Sequence, residues 1–319
     1  KFHRAYLGLP IVALTGSNGK TTTKELINVV LSKKFRTKAT IGNLNNHIGV
    51  PLTLLSFTKE TEIGIVEMGA NHQKEIEFLC QIAQPDFGYI TNFGKAHLEG
   101  FGGVEGVIAG KSEMYQYLAA NQKTVFVNLE DPIQIETSNG IKSFTFGVKK
   151  ENADLNIQEI TADPFVTVSY DNFVIESHLI GLYNANNINA AVAIGEYFEV
   201  KESDIKVAIE NYIPANNRSQ MMQKGSNEII LDAYNANPSS MAVAITNFLQ
   251  LNNSNKIMIL GDMFELGNES LYEHKVIVDS LAEQNQALCF LIGKSFYANQ
   301  IQKENLRFFE NFDSLTLYL

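Results

Sequence analysis

The sequence predicts an α/β protein with a mostly parallel sheet covered by helices on both faces, a small antiparallel addition, and a second, smaller α/β domain. Three observations lead to this fold class. Short apolar runs alternate with helical patterns up to about residue 140, turn-linked strand patterns follow to about 178, and the alternation resumes beyond Pro214. Strands that alternate with helices form parallel sheets with right-handed crossovers. Because 319 residues exceed one ordinary core, two domains are expected.

The first predicted unit is a strand, a loop and a helix in direct succession. Ile11–Thr15 is a short apolar run, residues 16–19 are rich in glycine, and a helical pattern covers 20–33. The same alternation predicts strands at 63–68, 88–91 and 125–128, and helices at 73–83 and 104–120. These elements together predict the parallel sheet and the helices on its two faces.

The antiparallel addition and the second domain follow along the chain. Short strands are predicted at 143–146, 165–170 and 173–178, and helices at 184–198 and 202–211. Pro214 and the polar pair Asn216 and Asn217 mark a domain boundary. Beyond it, strands at 228–232, 256–260 and 287–292 alternate with helices, as in a Rossmann-like domain. We therefore divide the chain into a linker at 1–10, a central domain at 11–214 and a C-terminal domain at 215–319.

Composition excludes several classes of function. A hydrophobic content of 45% and a charged content of 19% are typical of a soluble globular protein, and no stretch approaches the roughly 18 apolar residues of a membrane span. The net charge of -10 leaves no basic field for a nucleic-acid backbone. The two cysteines, Cys80 and Cys289, lie far apart without metal-type spacing, which favours a reducing compartment. We expect a cytoplasmic protein without nucleic-acid partners.

The strongest local signal is the loop between the first strand and its helix, T-G-S-N-G-K-T-T at 15–22. Glycines let backbone N–H groups approach phosphate oxygens, Lys20 supplies a charge to the terminal phosphates, and the Thr21 hydroxyl can ligate Mg²⁺. A strict P-loop has glycine at position 14, where this chain has Leu14, so the loop is a shortened form. Its position predicts a P-loop-type sheet with a nucleotide site formed by Gly16, Ser17, Asn18, Gly19, Lys20, Thr21 and Thr22.

Further polar residues lie near other strand ends, where ligands bind in such sheets. Glu67 ends the strand at 63–68, and a carboxylate there can reach a Mg²⁺ held by nucleotide phosphates. His97 lies in a glycine-rich loop and Lys111 on the next helix, although single residues of these types are more often solvated. Asparagines are common in turns and caps, but their density near the predicted strand ends suggests recognition of a polar ligand. The clusters are Asn43, Asn45 and Asn46, then Asn184, Asn186, Asn187 and Asn189, and finally Asn235 and Asn237.

Together these segments resemble the Mur ligases, the amide-forming enzymes of peptidoglycan precursor synthesis. The resemblance rests on residues 15–22, on E-M-G-A-N at 67–71, on the loop at 92–99, on Lys111, and on the Gly181, Asn184 and Asn187 pattern. Three longer stretches are similar to the branch of the family that adds D-alanyl-D-alanine: GNLNNHIGVPLTLL at 42–55, DAYNANPSSM at 232–241 and LGDMFELG at 260–267. The resemblance covers nearly the whole chain from about Pro10.

The resemblance implies an ADP-forming reaction. ATP would phosphorylate the terminal carboxylate of a UDP-N-acetylmuramoyl-tripeptide, and the amine of D-Ala-D-Ala would attack the resulting acyl phosphate. It implies that Lys20 contacts the β- and γ-phosphates, that Thr21 and Glu67 hold one Mg²⁺, and that His97 and a carbamylated Lys111 serve a second. It further implies adenine contacts for Asn184 and Asn187, nucleotide contacts for Arg218 and Asp232, and substrate contacts for Asn45, Asn46, Asn235 and Asn237.

The resemblance also indicates which domains of the family the chain is expected to contain, and it leaves two alternative functions. The central domain would be the ATP-binding ligase domain, the C-terminal ligase domain would lack its final elements, and the UDP-binding domain of the family would be absent from the amino terminus. We expect a monomer. One alternative is another ligase of the superfamily, such as a folylpolyglutamate synthase-like enzyme. The other is a nucleotide-binding module without ligase chemistry, which would have no use for Lys111 or the 232–241 segment.

Overall fold

A mostly parallel nine-stranded sheet and a parallel three-stranded sheet form the framework of the molecule. The computed structural model describes residues 1–215 and 217–318, so Asn216, which we expected at the domain boundary, lies outside the described residues. The strands of the described residues are β1 Ile11–Thr15, β2 Thr37–Ala39, β3 Ile63–Glu67, β4 Phe87–Ile90, β5 Thr124–Asn128, β6 Ser143–Val148, β7 Leu155–Ala162, β8 Phe165–Tyr170, β9 Phe173–Ile180, β10 Gln220–Lys224, β11 Asn227–Leu231, β12 Ile257–Gly261, β13 Leu288–Ile292 and β14 Leu306–Phe309.

Helices fill the connections between most of these strands. They are α1 Phe2–Leu7, α2 Lys20–Leu31, α3 Gly49–Ser56, α4 Glu75–Ala83, α5 Leu98–Phe101, α6 Val104–Ala120, α7 Pro132–Thr137, α8 Ala185–Tyr197, α9 Glu202–Glu210, α10 Pro238–Gln250, α11 Ser270–Ala282, α12 Lys294–Ala298 and α13 Phe312–Tyr318, with short 3-10 helices at Leu182–Asn184 and Gly267–Glu269. Among the described residues, none of these helices combines the length and the hydrophobicity needed to cross a bilayer.

The larger sheet has nine strands in the order β2-β3-β1-β4-β5-β6-β7-β8-β9. All its pairs are parallel up to β6 and β7, whereas β8 and β9 are antiparallel. The predicted antiparallel addition is found at 165–170 and 173–178, whereas the strand at 143–146, which was predicted to belong to it, is part of β6 and pairs in parallel with β5 and β7. The addition extends the edge of the parallel sheet, because β7 pairs with β6 in parallel and then turns back into β8.

The two faces of the larger sheet bury separate hydrophobic clusters. Alternate residues of β1 point to opposite faces, so Ile11 and Ala13 join one cluster while Val12 and Leu14 join the other. The Val12 face is covered by α2, α8 and α9. The Ile11 face is covered by α4 and α6, and its cluster continues into residues of α10, α11 and β13. A hydrophobic core is thus shared by the two predicted domains, and the α/β fold class is confirmed.

The second α/β unit differs from the expectation in one strand. Strands β12, β13 and β14 form a parallel sheet, but β11, which was predicted to belong to it, pairs only with β10 in an antiparallel hairpin. The hairpin partner Q-M-M-Q-K was not predicted, since it contains no β-branched or aromatic residue.

Residues 1–10, predicted to be a linker, contain helix α1 instead. Arg4 in this helix is buried, donates from Nε to the Ala83 carbonyl oxygen at 3.0 Å, and forms an ion pair with Asp86 at 2.9 Å. A six-residue helix is too short to show an apolar periodicity in the sequence. Its position therefore depends on these polar contacts with the end of α4 and the start of β4.

Candidate functional site

A cavity of about 760 Å³ lies at the carboxyl ends of β1, β3 and β4, where doubly wound sheets bind ligands. The phosphate loop forms one wall, and the segment 218–243 of the second unit forms another. The predicted site residues that line the cavity are Ser17, Asn18, Gly19, Lys20, Thr21, Thr22, Asn45, Asn46, Glu67, His97, Asn184, Asn187, Arg218, Asp232, Asn235 and Asn237. Two predicted residues, Gly16 and Lys111, do not line it.

The phosphate loop makes close contacts that only glycine allows. Gly16 and Gly19 have φ angles of 144° and 78°, a region that favours glycine. A Cβ on Gly16 would lie 2.0 Å from Thr91 Oγ1, and one on Gly19 would lie 2.5 Å from Asn187 Oδ1. The loop is therefore packed tightly against the residues that follow β4 and against Asn187 of α8. The Ser17 and Asn18 N–H groups bond Asn92, so the N–H groups at the first turn of α2 are the ones that would face a phosphate.

Lys20 folds back over this loop. Its Nζ donates to the Gly16 carbonyl oxygen at 2.9 Å and to the Ser17 carbonyl oxygen at 3.1 Å. Burial lowers the pKa of Lys20, the nearby Glu67 opposes this shift, and Arg218 adds to it. The ammonium is thus held at the mouth of the loop, within a cavity that a phosphate chain would enter.

Glu67 has the environment of a metal ligand. It is buried at the end of β3, and its Oε1 accepts hydrogen bonds from Thr21 Oγ1 at 3.3 Å and Asn45 Nδ2 at 2.8 Å. Its Oε2 has no hydrogen-bond partner among the described residues, although Lys24 Nζ lies 3.8 Å away. A buried carboxylate oxygen without a partner, beside a hydroxyl group, fits a hard divalent cation.

Protein side chains alone do not complete a metal site here. No group of three or more histidine, cysteine, aspartate or glutamate side chains within 1–215 and 217–318 could hold an ion. A cation at Glu67 would therefore depend on the Thr21 hydroxyl and on oxygens from a ligand, as Mg²⁺ does in nucleotide sites.

His97 and Lys111 lie beyond the phosphate loop. Lys111 is buried, its Nζ donates to the Ala70 carbonyl oxygen at 3.2 Å, and it stands 5.0 Å from the centre of the Phe101 ring. Burial and the neighbouring Lys20 lower the pKa of Lys111 well below its ordinary value. The Lys111 side chain therefore favours the neutral amine form in a site that is shielded from solvent.

His97 immediately precedes α5 and lines the cavity. Its Nδ1 hydrogen-bonds the carboxylate of Glu265 from the second unit. Burial lowers the pKa of His97, Glu265 opposes the shift, and the charges of Lys20 and Lys111 reinforce it. The ring is therefore expected to be neutral near pH 7.

Asn184 and Asn187 are buried and bound to each other. Asn187 donates from Nδ2 to Asn184 Oδ1 at 2.8 Å, and its own Oδ1 accepts from Thr23 Oγ1 at 2.9 Å. Asn184 Nδ2 in turn donates to the Ile180 carbonyl oxygen at 2.8 Å. The pair thus braces the first turn of α2, and its contact with adenine stays a prediction.

The second unit closes over the phosphate loop through polar contacts. Asn237 Nδ2 donates to Asn18 Oδ1 at 2.7 Å, and Asn18 Nδ2 donates to Ser239 Oγ at 3.0 Å. Arg218 stacks on the Tyr234 ring with its guanidinium carbon 3.7 Å from the ring centre. A second cationic side chain thus lines the cavity, close enough for its charge to lower the pKa of Lys20.

Asp232 lies beside Arg218 in this wall. Its Oδ1 accepts from the Ser219 backbone N–H at 3.3 Å. Burial raises the pKa of Asp232, while the Ser219 N–H and Arg218 oppose the shift. The structure thus brings both predicted nucleotide residues of the second unit to one wall, and their contact with a nucleotide stays a prediction.

The asparagines assigned to substrate differ in their contacts. Asn45 holds Glu67, as described above, whereas Asn46 Oδ1 accepts from the Ile48 and Gly49 N–H groups at the start of α3. Asn237 caps α10 by accepting from the Ser240 N–H at 2.9 Å. Asn235 lines the cavity without a side-chain hydrogen bond to any described residue. Two of the four therefore carry helix-capping bonds, and their substrate roles stay predictions.

Sequence reasoning missed four charged residues near the site. Lys24 lies one helical turn beyond Lys20 and touches Glu67, but a lysine inside a helix gives no signal of burial. Glu265 and the pair Lys95–Glu273 join the two units across long chain separations. The stretch at 260–267 was noticed as a motif, and nothing local within it distinguishes Glu265.

Comparisons with known families agree with this geometry. The Mur ligase middle domain matches residues 14–195, and the Mur ligase, glutamate ligase domain matches residues 217–316. The chain is 35% identical over 276 residues to the UDP-N-acetylmuramoyl-tripeptide--D-alanyl-D-alanine ligase of Bacillus subtilis (strain 168), covering 84% of this chain and 59% of that protein. It is 32% identical over 301 residues to the ligase of the same name from Escherichia coli (strain K12), and the match covers 90% of this chain and 65% of that protein. This chain thus spans less than two thirds of the length of either relative.

Solved structures give the same result for the fold. MurF from Acinetobacter baumannii matches with a TM-score of 0.88 and 34% identity, covering 97% of this chain and 69% of that chain. MurF ligase from Thermotoga maritima in complex with ADP matches with a TM-score of 0.82 and 26% identity, and the match covers 96% of this chain and 72% of that chain. Because two family domains span most of the sequence and the phosphate loop has its expected place, the chain belongs to the Mur ligase family.

Proposed function

We propose that this chain forms the ATP-binding and catalytic core of an ADP-forming ligase that adds D-alanyl-D-alanine to a UDP-N-acetylmuramoyl-tripeptide. The observation that carries this proposal is the cavity in which the phosphate loop, Glu67 and His97 face the segment 218–243. Relatives named for this reaction match 84% and 90% of the chain, and the Thermotoga maritima relative binds ADP. We place the reaction in the cytoplasm, where ATP is available.

The proposed reaction has two steps. A carboxylate oxygen of the tripeptide attacks the γ-phosphorus of ATP, and ADP leaves. The amine nitrogen of D-Ala-D-Ala then attacks the acyl carbon, phosphate leaves, and the amine loses a proton. Both steps bring anions together, so catalysis depends on cationic groups held in place before the reaction.

The residues of the first wall suit the first step. The N–H groups at the start of α2 and the ammonium of Lys20 would bind the β- and γ-phosphates, where negative charge develops during transfer. Thr21 and Glu67 would hold a Mg²⁺, which when bound supplies positive charge to the transferred phosphoryl group. The Oε2 of Glu67, without a partner among the described residues, supports this assignment.

His97 and Lys111 suit a second cation. The low pKa of Lys111 favours the neutral amine, which is the form that reacts with CO₂ to give a carbamate. Carbamylation would replace a buried cation by an anion with oxygen ligands, the kind that Mg²⁺ prefers. His97 would offer its Nε2, because Nδ1 is occupied by Glu265.

The remaining predicted residues would bind the ligands. Asn184 and Asn187 would lie near adenine, and Arg218 and Asp232 would reach the nucleotide when the units close. Asn45, Asn46, Asn235 and Asn237 would face the peptide substrates. All of them line the same cavity.

The test is phosphate release from ATP, measured for this chain and for a version extended at its amino terminus to the length of its relatives. We expect both versions to bind Mg·ATP, and any added contacts to the remote UDP group should raise the efficiency of ligation, because they orient the reacting end. The extended version should release phosphate only with the UDP-linked tripeptide and D-Ala-D-Ala together. Release that requires glutamate instead would favour a folylpolyglutamate synthase-like enzyme. Release that needs neither substrate would favour a nucleotide-binding module, and equal efficiency of both versions would contradict the proposal.

A further inference from the structure

His97 and Glu265 meet across the boundary between the two units. His97 precedes α5 in the first unit, whereas Glu265 lies between β12 and the 3-10 helix Gly267–Glu269 of the second. The Nδ1 atom of His97 hydrogen-bonds the carboxylate of Glu265. No residue within 1–215 or 217–318 forms a hydrogen bond with Nε2, so this ring nitrogen is left for a ligand.

The loop that presents Glu265 is held by its neighbours. Met263 and Leu266 are buried in the core that also contains residues of α5. The Met263 backbone N–H donates to Nε2 of the fully buried His274 at 2.9 Å. Met263 and Leu266 thus anchor the loop on either side of Glu265, and the half-exposed Glu265 side chain reaches His97 from this anchored segment.

An ionised carboxylate accepts hydrogen bonds and cannot donate them. In a neutral imidazole only one ring nitrogen carries hydrogen, so the contact with Glu265 requires that nitrogen to be Nδ1. The lone pair then lies on Nε2. Histidines that bind metals commonly donate their other N–H to a carboxylate in this way, which orients the ring and raises its basicity.

We propose that Glu265 is a positioning residue that sets the Nδ1–H tautomer of His97, so that Nε2 is ready for a divalent cation only when the second unit closes on the first. The part of this inference that concerns the cation rests on the proposed function. Two further contacts belong to the same closed arrangement: Lys95 Nζ lies 2.6 Å from Glu273 Oε1, and Asn237 bonds Asn18. Closure would thereby complete the second cation site.

The tautomer can be measured without any ligand. Long-range ¹H–¹⁵N NMR of the metal-free chain at about pH 8, above the ordinary pKa of histidine, reports which ring nitrogen carries hydrogen. His97→Asn identifies the signal. The wild-type chain should show the Nδ1–H form. Glu265→Ala should show a mixture of the two tautomers, whereas Glu265→Gln keeps an acceptor oxygen and should show the wild-type form. Glu269→Ala is the matched control, since it removes an exposed carboxylate from the same segment. An unchanged His97 signal in Glu265→Ala would overturn the proposal.

The cation arm uses Mn²⁺ binding to the chain loaded with a non-hydrolysable ATP analogue, followed by EPR. Glu265→Ala should bind Mn²⁺ about 10- to 100-fold more weakly than wild type, the usual loss when the carboxylate behind a metal-binding histidine is removed. Glu269→Ala should bind like wild type, and thermal unfolding should show equal midpoints for both variants. Equal Mn²⁺ affinities would overturn the link to the cation. A wild-type chain that binds neither nucleotide nor Mn²⁺ would contradict the proposed function, while the tautomer experiment would still test the role of Glu265.

Discussion

At the scale of single residues, the site depends on how the buried carboxylate of Glu67 is held by its neighbours. Glu67 accepts hydrogen bonds from Thr21 and Asn45, and Lys24 stands 3.8 Å from its other oxygen. Burial lowers the pKa of Lys24, whereas Glu67 and Glu25 oppose the shift. Lys24 thus places a buried amine beside the Glu67 oxygen that has no hydrogen-bond partner among the described residues.

Lys20 should carry a large part of the nucleotide affinity. Lys20→Ala removes the ammonium at the mouth of the phosphate loop and is expected to weaken Mg·ATP binding by at least about 1.5–3 kcal/mol, the range for charged hydrogen bonds. Isothermal titration calorimetry measures this loss. Lys33→Ala, an exposed lysine just beyond the same helix, is the control and should bind like wild type. Unchanged affinity in Lys20→Ala would remove the nucleotide assignment.

Lys111 should be carbamylated in the presence of CO₂. Chain equilibrated with ¹³C-bicarbonate should give a carbamate ¹³C NMR signal that disappears in Lys111→Ala and after CO₂ is removed. Lys123→Ala, at a half-exposed lysine near the end of the same helix, should keep the signal. In the extended enzyme Lys111→Ala should also lower activity by at least about 10- to 100-fold, the loss that is typical when even a residue supporting a metal ligand is removed. A signal that survives in Lys111→Ala would place the modification elsewhere.

At the scale of elements, local sequence patterns predicted the strands and helices whose burial produces a regular apolar pattern. The fully buried strands β1, β3 and β5 read as short apolar runs between turn signals, and the helix patterns of α2 and α6 were equally clear. Strand β2 has three residues and α1 has six, so neither shows a period. Their positions depend on tertiary contacts, which a local pattern does not contain.

The same distinction applies to the site. Glu67 and the phosphate loop could be predicted because the carboxyl ends of parallel strands share one edge of the sheet. Glu265 could not, because it lies 168 residues from His97 in the sequence and reaches it only through the packing of the second unit. The buried position of Lys24 is likewise a property of packing against β3. Sequence patterns thus located the walls of the cavity but not the contacts between them.

Helix α8 contains a carboxyl group that should destabilise the fold at neutral pH. Burial raises the pKa of Glu196 to about 7, with Glu202 and Asp171 adding to the shift. A raised carboxyl pKa means that the folded state binds the proton more tightly, so stability falls as pH rises from the ordinary value of 4.5 through about 7.

Glu196→Gln should therefore raise the free energy of unfolding by about 1 kcal/mol at about pH 8, a value reduced from the full linkage effect because the group is half-exposed. At about pH 5, where the wild-type carboxyl is largely protonated in the folded state, the gain should nearly vanish. Urea unfolding at both values measures it. Glu151→Gln, at an exposed position, is the control. An equal gain at both pH values would show that the effect is not electrostatic.

At the scale of the whole molecule, function depends on how the two units meet. The core on the Ile11 face of the sheet continues into α10, α11 and β13, so the units share apolar contacts behind the cavity. Polar contacts surround the cavity itself, where Asn18 meets Asn237 and Ser239. We therefore expect Arg218 and Asp232 to contact a nucleotide only when the two units are closed, as in a hinge-like closure.

The ion pair between Lys95 and Glu273 should stabilise that closed state. The Glu273 side chain is only 6% exposed, whereas that of Lys95 is 45% exposed, and Nζ lies 2.6 Å from Oε1. Because the pair is partly solvated, breaking it should reduce the free energy that favours the closed state by about 1 kcal/mol, more than for a surface pair and less than for a buried one.

Lys95→Ala and Glu273→Gln should each weaken binding of an ATP analogue by about fivefold. The double variant should lose little more, since both changes remove the same contact. Small-angle X-ray scattering should show a larger radius of gyration for each single variant with nucleotide bound. Lys275→Ala, whose partner Asp279 lies on the same helix, should change neither quantity. Additive losses in the double variant would mean that the two residues act independently, and that Lys95 and Glu273 do not hold the units together.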